Sequence, residues 1–193
     1  MKVHEYDLIA EWYASERDDQ TGVPEATALA SLIPRGSRVL DIGCGNGIPI
    51  TRALLGRGHS LVGLDSSSAM LQRFRNNCPD TPAVRGIAQS CPFVDCIFDA
   101  AVAWGIMFHL NHQDQCRAIA SIPRVLKNRA PFLFTSGKVG GFEGKVGTMN
   151  GVVFRYFSYS IRNYRCILRD HGFALLSIHA DSGDNTYYLA KKA

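Results

Sequence analysis

The stretch from Val39 to Thr51, VLDIGCGNGIPIT, decides how this chain reads. Val39, Leu40 and Ile42 form an apolar run bounded by turn residues, the pattern of a short buried strand. Gly43, Gly45 and Gly47 then fall at alternate positions. Glycines of this kind also make plain turns, because glycine tolerates positive φ. The flanks add to the signal here. GIPITRALLGRG puts Ile48, Leu54 and Leu55 on one side of a helix expected over 46–57, with Pro49 in its first turn. A strand, a glycine turn and a helix start together present backbone amides to a ligand lying against the chain.

Spacing separates two ligand classes. A dinucleotide fingerprint, G-x-G-x-x-G, counted from Gly43 requires glycine at 48, where the chain has Ile48. The observed pattern from Asp41 to Gly47 is D-x-G-x-G-x-G, and it resembles motif I of the class I S-adenosylmethionine-dependent methyltransferases. The chemistry agrees. A pyrophosphate favours a bare helix N-terminus. A cofactor with an ammonium and a sulfonium suits an acidic neighbour such as Asp41, directly or through water. The resemblance implies that Asp41, Gly43, Cys44, Gly45, Asn46 and Gly47 contribute to the cofactor site. S-adenosylmethionine is then the cofactor and S-adenosylhomocysteine the product.

Three more segments carry the resemblance. LVGLDSSSAML is similar to the family's D-x-S-x-x-M-L and implies Asp65, Ser66 and Met70 as cofactor residues. Asp65 ends the second strand, where a carboxylate can accept both ribose hydroxyls; it also reads as a helix N-cap. RGIAQSCPFVDCIFD resembles G-D-A-x-x-L-P-F…F-D and implies Ile87 and Ala88 at the adenine. The family often has an acidic residue at the position of Ile87, which cannot accept from the adenine amine. In AWGIMFHL, Ala103 and Trp104 end the fourth strand, on the side where open α/β sheets bind ligands. His109 follows as a general base or as a buttress of the next helix. Tyr6, Tyr13 and Arg17 lie on an N-terminal helix expected to close over the cofactor, with Tyr13 on the ligand or stapled to the sheet edge. His112 reads as a surface residue. In FRYFS, Arg155 and Tyr156 stand where the stand-alone subset often has a Tyr-His pair.

The wider chain gives an alternation of elements. Strands are expected over 38–43, 59–65, 81–87, 98–104 and 130–137. Helices fall between them, the last over 111–128 and broken near Pro123. A glycine-rich separator (138–151), a possible extra strand VVFRYFS, a helix over 160–172 and a final hairpin of FALLSIHA with NTYYLAKK follow. The expected fold is α/β: a doubly wound, mostly parallel seven-stranded sheet with an antiparallel C-terminal strand and helices on both faces. One domain over 1–193 is expected, with a helical cap (1–36), a cofactor-binding half (37–137) and a substrate-side half (138–193).

Composition bounds the remainder. Hydrophobic residues make up 46% of the 193 positions and charged residues 20%, enough for a substantial core. The net charge of +4, without a basic run, points away from nucleic acid. No stretch reaches the ~20 apolar residues of a membrane span. The N-terminus lacks a signal peptide's apolar core, and six cysteines without a C-x-x-C pair suit a reduced, cytoplasmic setting with no metal site. The resemblance implies methyl transfer to an O- or N-nucleophile of a small molecule, with oligomeric state unknown. An NAD-dependent oxidoreductase and a catalytically silent S-adenosylmethionine-binding regulatory protein are the alternatives.

Overall fold

A computed structural model describes residues 5–137, 141–180 and 185–193. The elements are α1 (Glu5–Glu16), α2 (Val23–Ala30), β1 (Arg38–Ile42), α3 (Ile50–Gly56), β2 (Ser60–Asp65), α4 (Ser68–Asn77), β3 (Ala83–Arg85), β4 (Ala100–Ala103), α5 (His112–Val125), β5 (Pro131–Ser136), β6 (Phe142–Met149), β7 (Val152–Ser158), α6 (Ile161–Asp170), β8 (Phe173–Ala180) and β9 (Thr186–Lys192). Short 3-10 turns lie at Ala88–Ser90 and Met107–His109. One seven-stranded sheet has the order β3-β2-β1-β4-β5-β9-β8. Six strands share a direction, and β9 runs against both its neighbours, β5 and β8.

Strand alternation builds the layers. Successive side chains of a strand point to opposite faces. Leu40, Ile42, Ala101, Ala103, Phe132 and Phe134 therefore enter one core, closed by Ala118, Ile119 and Ile122 of α5 and by Tyr164 and Leu168 of α6. Val39, Ala100, Val102 and Leu133 enter the other, closed by Ala26 and Leu29 of α2 and Ile50 and Leu54 of α3. Both faces of the sheet are covered, which is why its central strands read as largely apolar runs rather than as an alternation.

Several expected boundaries move for local reasons. α3 starts at Ile50 rather than near 46, because Gly47 is left-handed (φ +82°) and Pro49 serves as N-cap. α5 runs unbroken through Pro123 and ends at Val125. A proline so near the helix end removes only one ladder bond. The glycine-rich stretch is not only a separator: from Phe142 it forms β6, paired antiparallel with β7 in a sheet of their own. Residues 138–140 of that stretch, the turn 181–184 of the last hairpin and the first four residues of the cap lie outside the described residues. His112 is half-buried, its ring stacked on Tyr159 at 4.2 Å.

A buried polar chain ties the β6–β7 hairpin to the sheet. Gln115 is fully buried on α5. Its Nε2 donates to the carbonyls of Leu110 (2.9 Å) and Phe157 (3.0 Å), and its Oε1 accepts from Tyr164 Oη (2.5 Å). Tyr164 Oη also meets Ser136 Oγ, which meets Ser158 Oγ at 3.0 Å. One amide thus joins the segment after His109 to β7. Replacing it by leucine takes this donor from the Leu110 and Phe157 carbonyls, at about 1–3 kcal/mol for each unsatisfied group, while Tyr164 Oη keeps Ser136 Oγ. Gln115→Leu should lower the unfolding free energy in urea by at least about 2 kcal/mol; a loss below ~0.5 kcal/mol, within the range of a surface substitution, would mean the network contributes little.

Candidate functional site

The site forms where β1 and β2 end side by side. Gly43 and Cys44 both direct their amides to the Leu64 carbonyl (2.7 and 3.2 Å), which folds the glycine turn back over β2. Asp65, the last residue of β2, fixes the turn. Its Oδ2 accepts from the Gly45 amide and its Oδ1 from the Ser67 amide, both at 2.8 Å. The N-cap of α4 is Ser67 rather than Asp65, with Ser67 Oγ accepting from the Met70 amide (3.1 Å).

The N-terminal helix is pinned above this turn. Asp7 accepts from Ser67 Oγ (2.7 Å) and from the Ala69 amide (3.0 Å), placing a negative charge on the first turn of α4. α1 then carries Tyr6 and Tyr13 to the cavity wall. Tyr6 Oη lies 2.9 Å from His109 Nε2, and the two rings meet edge to face at 5.4 Å. Phe154 of β7 packs on both rings, at 5.2 and 5.6 Å. Burial pushes the Tyr6 phenol well above its usual pKa, with the nearby Tyr13 and Tyr156 adding to the shift. The phenol therefore stays protonated, and it donates to His109 in the tautomer whose Nε2 carries no proton. Arg17 bonds Tyr13 Oη and lies over that ring.

These elements enclose a cavity of about 390 Å³. Of the residues singled out in the sequence, Tyr13, Gly43, Gly45, Asp65, Ser66, Met70, Ile87, Ala88, Trp104 and His109 line it. Asp41, Cys44, Asn46, Gly47 and Ala103 do not; they stand behind it. Asp41 is buried and accepts from Thr51 Oγ1 at 2.6 Å, so its carboxylate faces α3. Cys44 packs with Phe74 of α4. Asn46 closes the turn internally, with Oδ1 accepting from the Ile48 amide (3.1 Å) and its carbonyl from Asn77 Nδ2 (2.9 Å). A side chain at Gly47 would meet Cys78 and Phe74 within 3.2 Å, and Ala103 is core.

Other lining residues escaped the sequence reading: Glu5, Gln89, Gly105, Ile106, Leu110, Val153 and Phe154. Glu5, Val153 and Phe154 follow from tertiary placement of the helix and hairpin and leave no local motif. Arg155 lines the cavity as well, whereas Tyr156 reaches His109 from outside it, ring to ring at 5.1 Å. The glycines show the shape of the cradle. A Cβ on Gly45 (φ +54°) would meet no protein atom within 4 Å, so this backbone faces open space. Among the described residues no group of three His, Cys, Asp or Glu could hold a metal ion, and no helix is long and apolar enough to cross a membrane.

Residues 39–129 match the family described as "Methyltransferase domain". Over that stretch of sequence and in its fold, the chain is similar to S-adenosylmethionine-dependent methyltransferases. It is 36% identical over 118 residues to an uncharacterised methyltransferase of Mycobacterium tuberculosis, covering 59% of this chain and 45% of that protein. The chain spans about half the length of the curated relatives it matches first. Solved methyltransferases share its fold. The CcbJ methyltransferase of Streptomyces caelestis superposes with a TM-score of 0.80 at 16% identity, covering 99% of this chain and 98% of that one. The 1,6-didemethyltoxoflavin-N1-methyltransferase of Burkholderia thailandensis, solved with 1,6-didemethyltoxoflavin and S-adenosylhomocysteine bound, gives 0.75 at 17% identity, covering 97% and 86%. These solved neighbours are S-adenosylmethionine-dependent methyltransferases, and this chain shares their fold with six parallel strands and one antiparallel strand.

The buried Asp41 gives the methyltransferase site a pH signature. Burial raises its pKa to about 7; the Thr51 hydroxyl opposes the shift and the Asp65 charge adds to it. The folded form therefore binds more protons than the unfolded chain between about pH 4, the usual aspartate range, and pH 7. This group's contribution to stability accordingly falls as pH rises through that window. Asp41→Asn should lose that slope: its thermal midpoint relative to the parent should improve steadily from pH 4.5 to pH 8. A constant difference across the range would mean that Asp41 titrates as an ordinary carboxylate.

Proposed function

We propose that this chain binds S-adenosylmethionine in the cavity over Gly43 and Gly45 and transfers its methyl group to an oxygen or nitrogen of a small molecule. The observation that carries the reading is the bare glycine backbone at the cavity floor, held open by the Asp65 carboxylate. Asp65 is placed to take the ribose hydroxyls, with Ser66 and Met70 beside it and Ile87 and Ala88 at the adenine. Trp104 and Tyr13 wall the methionine end, while Asp41, Cys44, Asn46, Gly47 and Ala103 support the site from behind. The bound cofactor supplies an electrophilic methyl on sulfur, which passes to the acceptor's lone pair as the carbon–sulfur bond breaks and sulfur keeps the electrons.

The chain's own residues then have three tasks. Residues 1–36 form a cap, and its α1, with Tyr6 and Tyr13, excludes water from the transfer. The walls hold the acceptor in line with the departing sulfur, an alignment worth on the order of 7–11 kcal/mol in well-oriented reactions. His109 receives the acceptor's proton through Tyr6: in the tautomer with Nε2 unprotonated, Oη passes its own proton to Nε2 as it takes the acceptor's. The acceptor is a small molecule because the cavity is enclosed by α1 and β7; the substrate half is 138–193. The Burkholderia relative, named for a small heterocyclic substrate, is consistent with this size class.

The test begins by incubating the protein with methyl-labelled S-adenosylmethionine and a metabolite extract, then isolating the labelled product. Turnover with that acceptor should fall roughly 10²–10⁴-fold in His109→Ala, with S-adenosylhomocysteine affinity nearly unchanged. The parent's rate should show a limb near the imidazole pKa that the variant lacks. No labelled product from any extract would favour a silent binding protein. An active His109→Ala enzyme with the parent's pH profile would leave His109 as a buttress.

A further inference from the structure

One polar side chain on the cavity wall has no task in this account. Gln89 lies in the 3-10 turn after β3 and lines the cavity next to Ile87 and Ala88. Its amide makes no hydrogen bond to any described residue, and it is half-buried. The turn that carries it is fixed from behind. Ser121 Oγ of α5 donates to the Ala88 carbonyl at 2.7 Å, and Arg124 donates to the carbonyls of Cys91 and Phe93, each at 2.7 Å. A rigid loop thus presents an uncommitted amide at the same end of the cavity as Ser66.

Ile87 sits in that wall too, 50% exposed and apolar. Its side chain can lie against the face of a planar ring but offers the edge no hydrogen bond, which leaves the edge to the backbone of Ile87 and Ala88 and to a neighbouring side chain. Asp65 is engaged with the glycine turn on the ribose side, and Arg85 turns its Nε to the Ser66 carbonyl (3.1 Å). Resting on the cofactor reading above, we propose that Gln89 recognises the edge of the adenine ring. Its carbonyl oxygen accepts from the exocyclic amine, and its NH2 donates to the adjacent ring nitrogen. A side-chain amide carries a donor beside an acceptor and so matches adenine's neighbouring pair, whereas a carboxylate only accepts. The chain therefore reads adenine two residues beyond Ile87.

The experiment is a ligand–mutant cycle by titration calorimetry. S-adenosylhomocysteine and its analogue lacking the 6-amino group are titrated into the parent, Gln89→Leu and Gln89→Glu. The parent should prefer the amine-bearing ligand by roughly 10-fold, within the range for a two-bond amide contact to a base. Gln89→Leu should lose about that factor for S-adenosylhomocysteine and bind both ligands within ~2-fold of each other. Gln89→Glu should keep the preference, because a carboxylate still accepts from the amine. Gln89 has no hydrogen-bond partner among the described residues, so thermal midpoints should stay close to the parent's. A Leu variant with the parent's preference, or a parent that does not distinguish the ligands, overturns the assignment alone. A parent that binds neither ligand overturns the cofactor reading and the assignment with it.

Discussion

The carboxylate of Asp65 is the joint on which the site depends. Its two oxygens hold the amides of Gly45 and Ser67, so one side chain fixes the glycine turn after β1 and the entry to α4 after β2. β1 and β2 are parallel neighbours in register from Arg38↔Ser60 to Ile42↔Leu64, which brings their carboxyl ends level. Ser67 then caps α4 and binds Asp7, and Asp7 fixes α1. The cap, the cradle and the sheet are joined through two consecutive carboxylate contacts. Charge-assisted bonds of this kind are stronger than neutral ones, which suits a turn whose glycines supply no packing of their own.

The second half of the molecule closes the cavity from the other side. Gln115 grips the carbonyls of Leu110 and Phe157, and Phe154 packs on Tyr6 and His109. The β6–β7 hairpin therefore reaches the site through a buried amide and an aromatic cluster instead of through the main sheet. A hairpin paired only with itself is marginal on its own. Its order here derives from those contacts. His109 sits between the two halves, bonded to α1 and packed on β7.

The parallel strands and the glycine turn were legible because their signals are local: apolar runs of the right length, glycines at fixed spacing, and Asp65 at a strand end. The boundaries of α3 were less so, since Pro49 reads equally as a first-turn residue or a cap until the φ of Gly47 is known. β6 was hidden because FEGKVGTM has a loop's composition, and only its pairing with VVFRYFS makes it a strand. Asp41 illustrates a different limit. Its place in the motif is plain from spacing, but its side chain turns to Thr51 behind the cradle. The Tyr6–His109 contact spans 103 residues of sequence, and no periodicity reports such a pair.

The central claim is that the bare backbone at Gly45 is the floor of a ligand site and not a turn glycine alone. Titration of S-adenosylhomocysteine into Gly45→Ala beside the parent tests it directly, because the added Cβ meets no protein atom. Holding alanine at φ +54° costs on the order of 1–2 kcal/mol of stability, so the variant should fold with a modestly lower midpoint. The account predicts that this folded variant loses at least about 10-fold in affinity, as expected when a methyl group occupies space the ligand needs. Affinity equal to the parent's in a folded Gly45→Ala protein would contradict it.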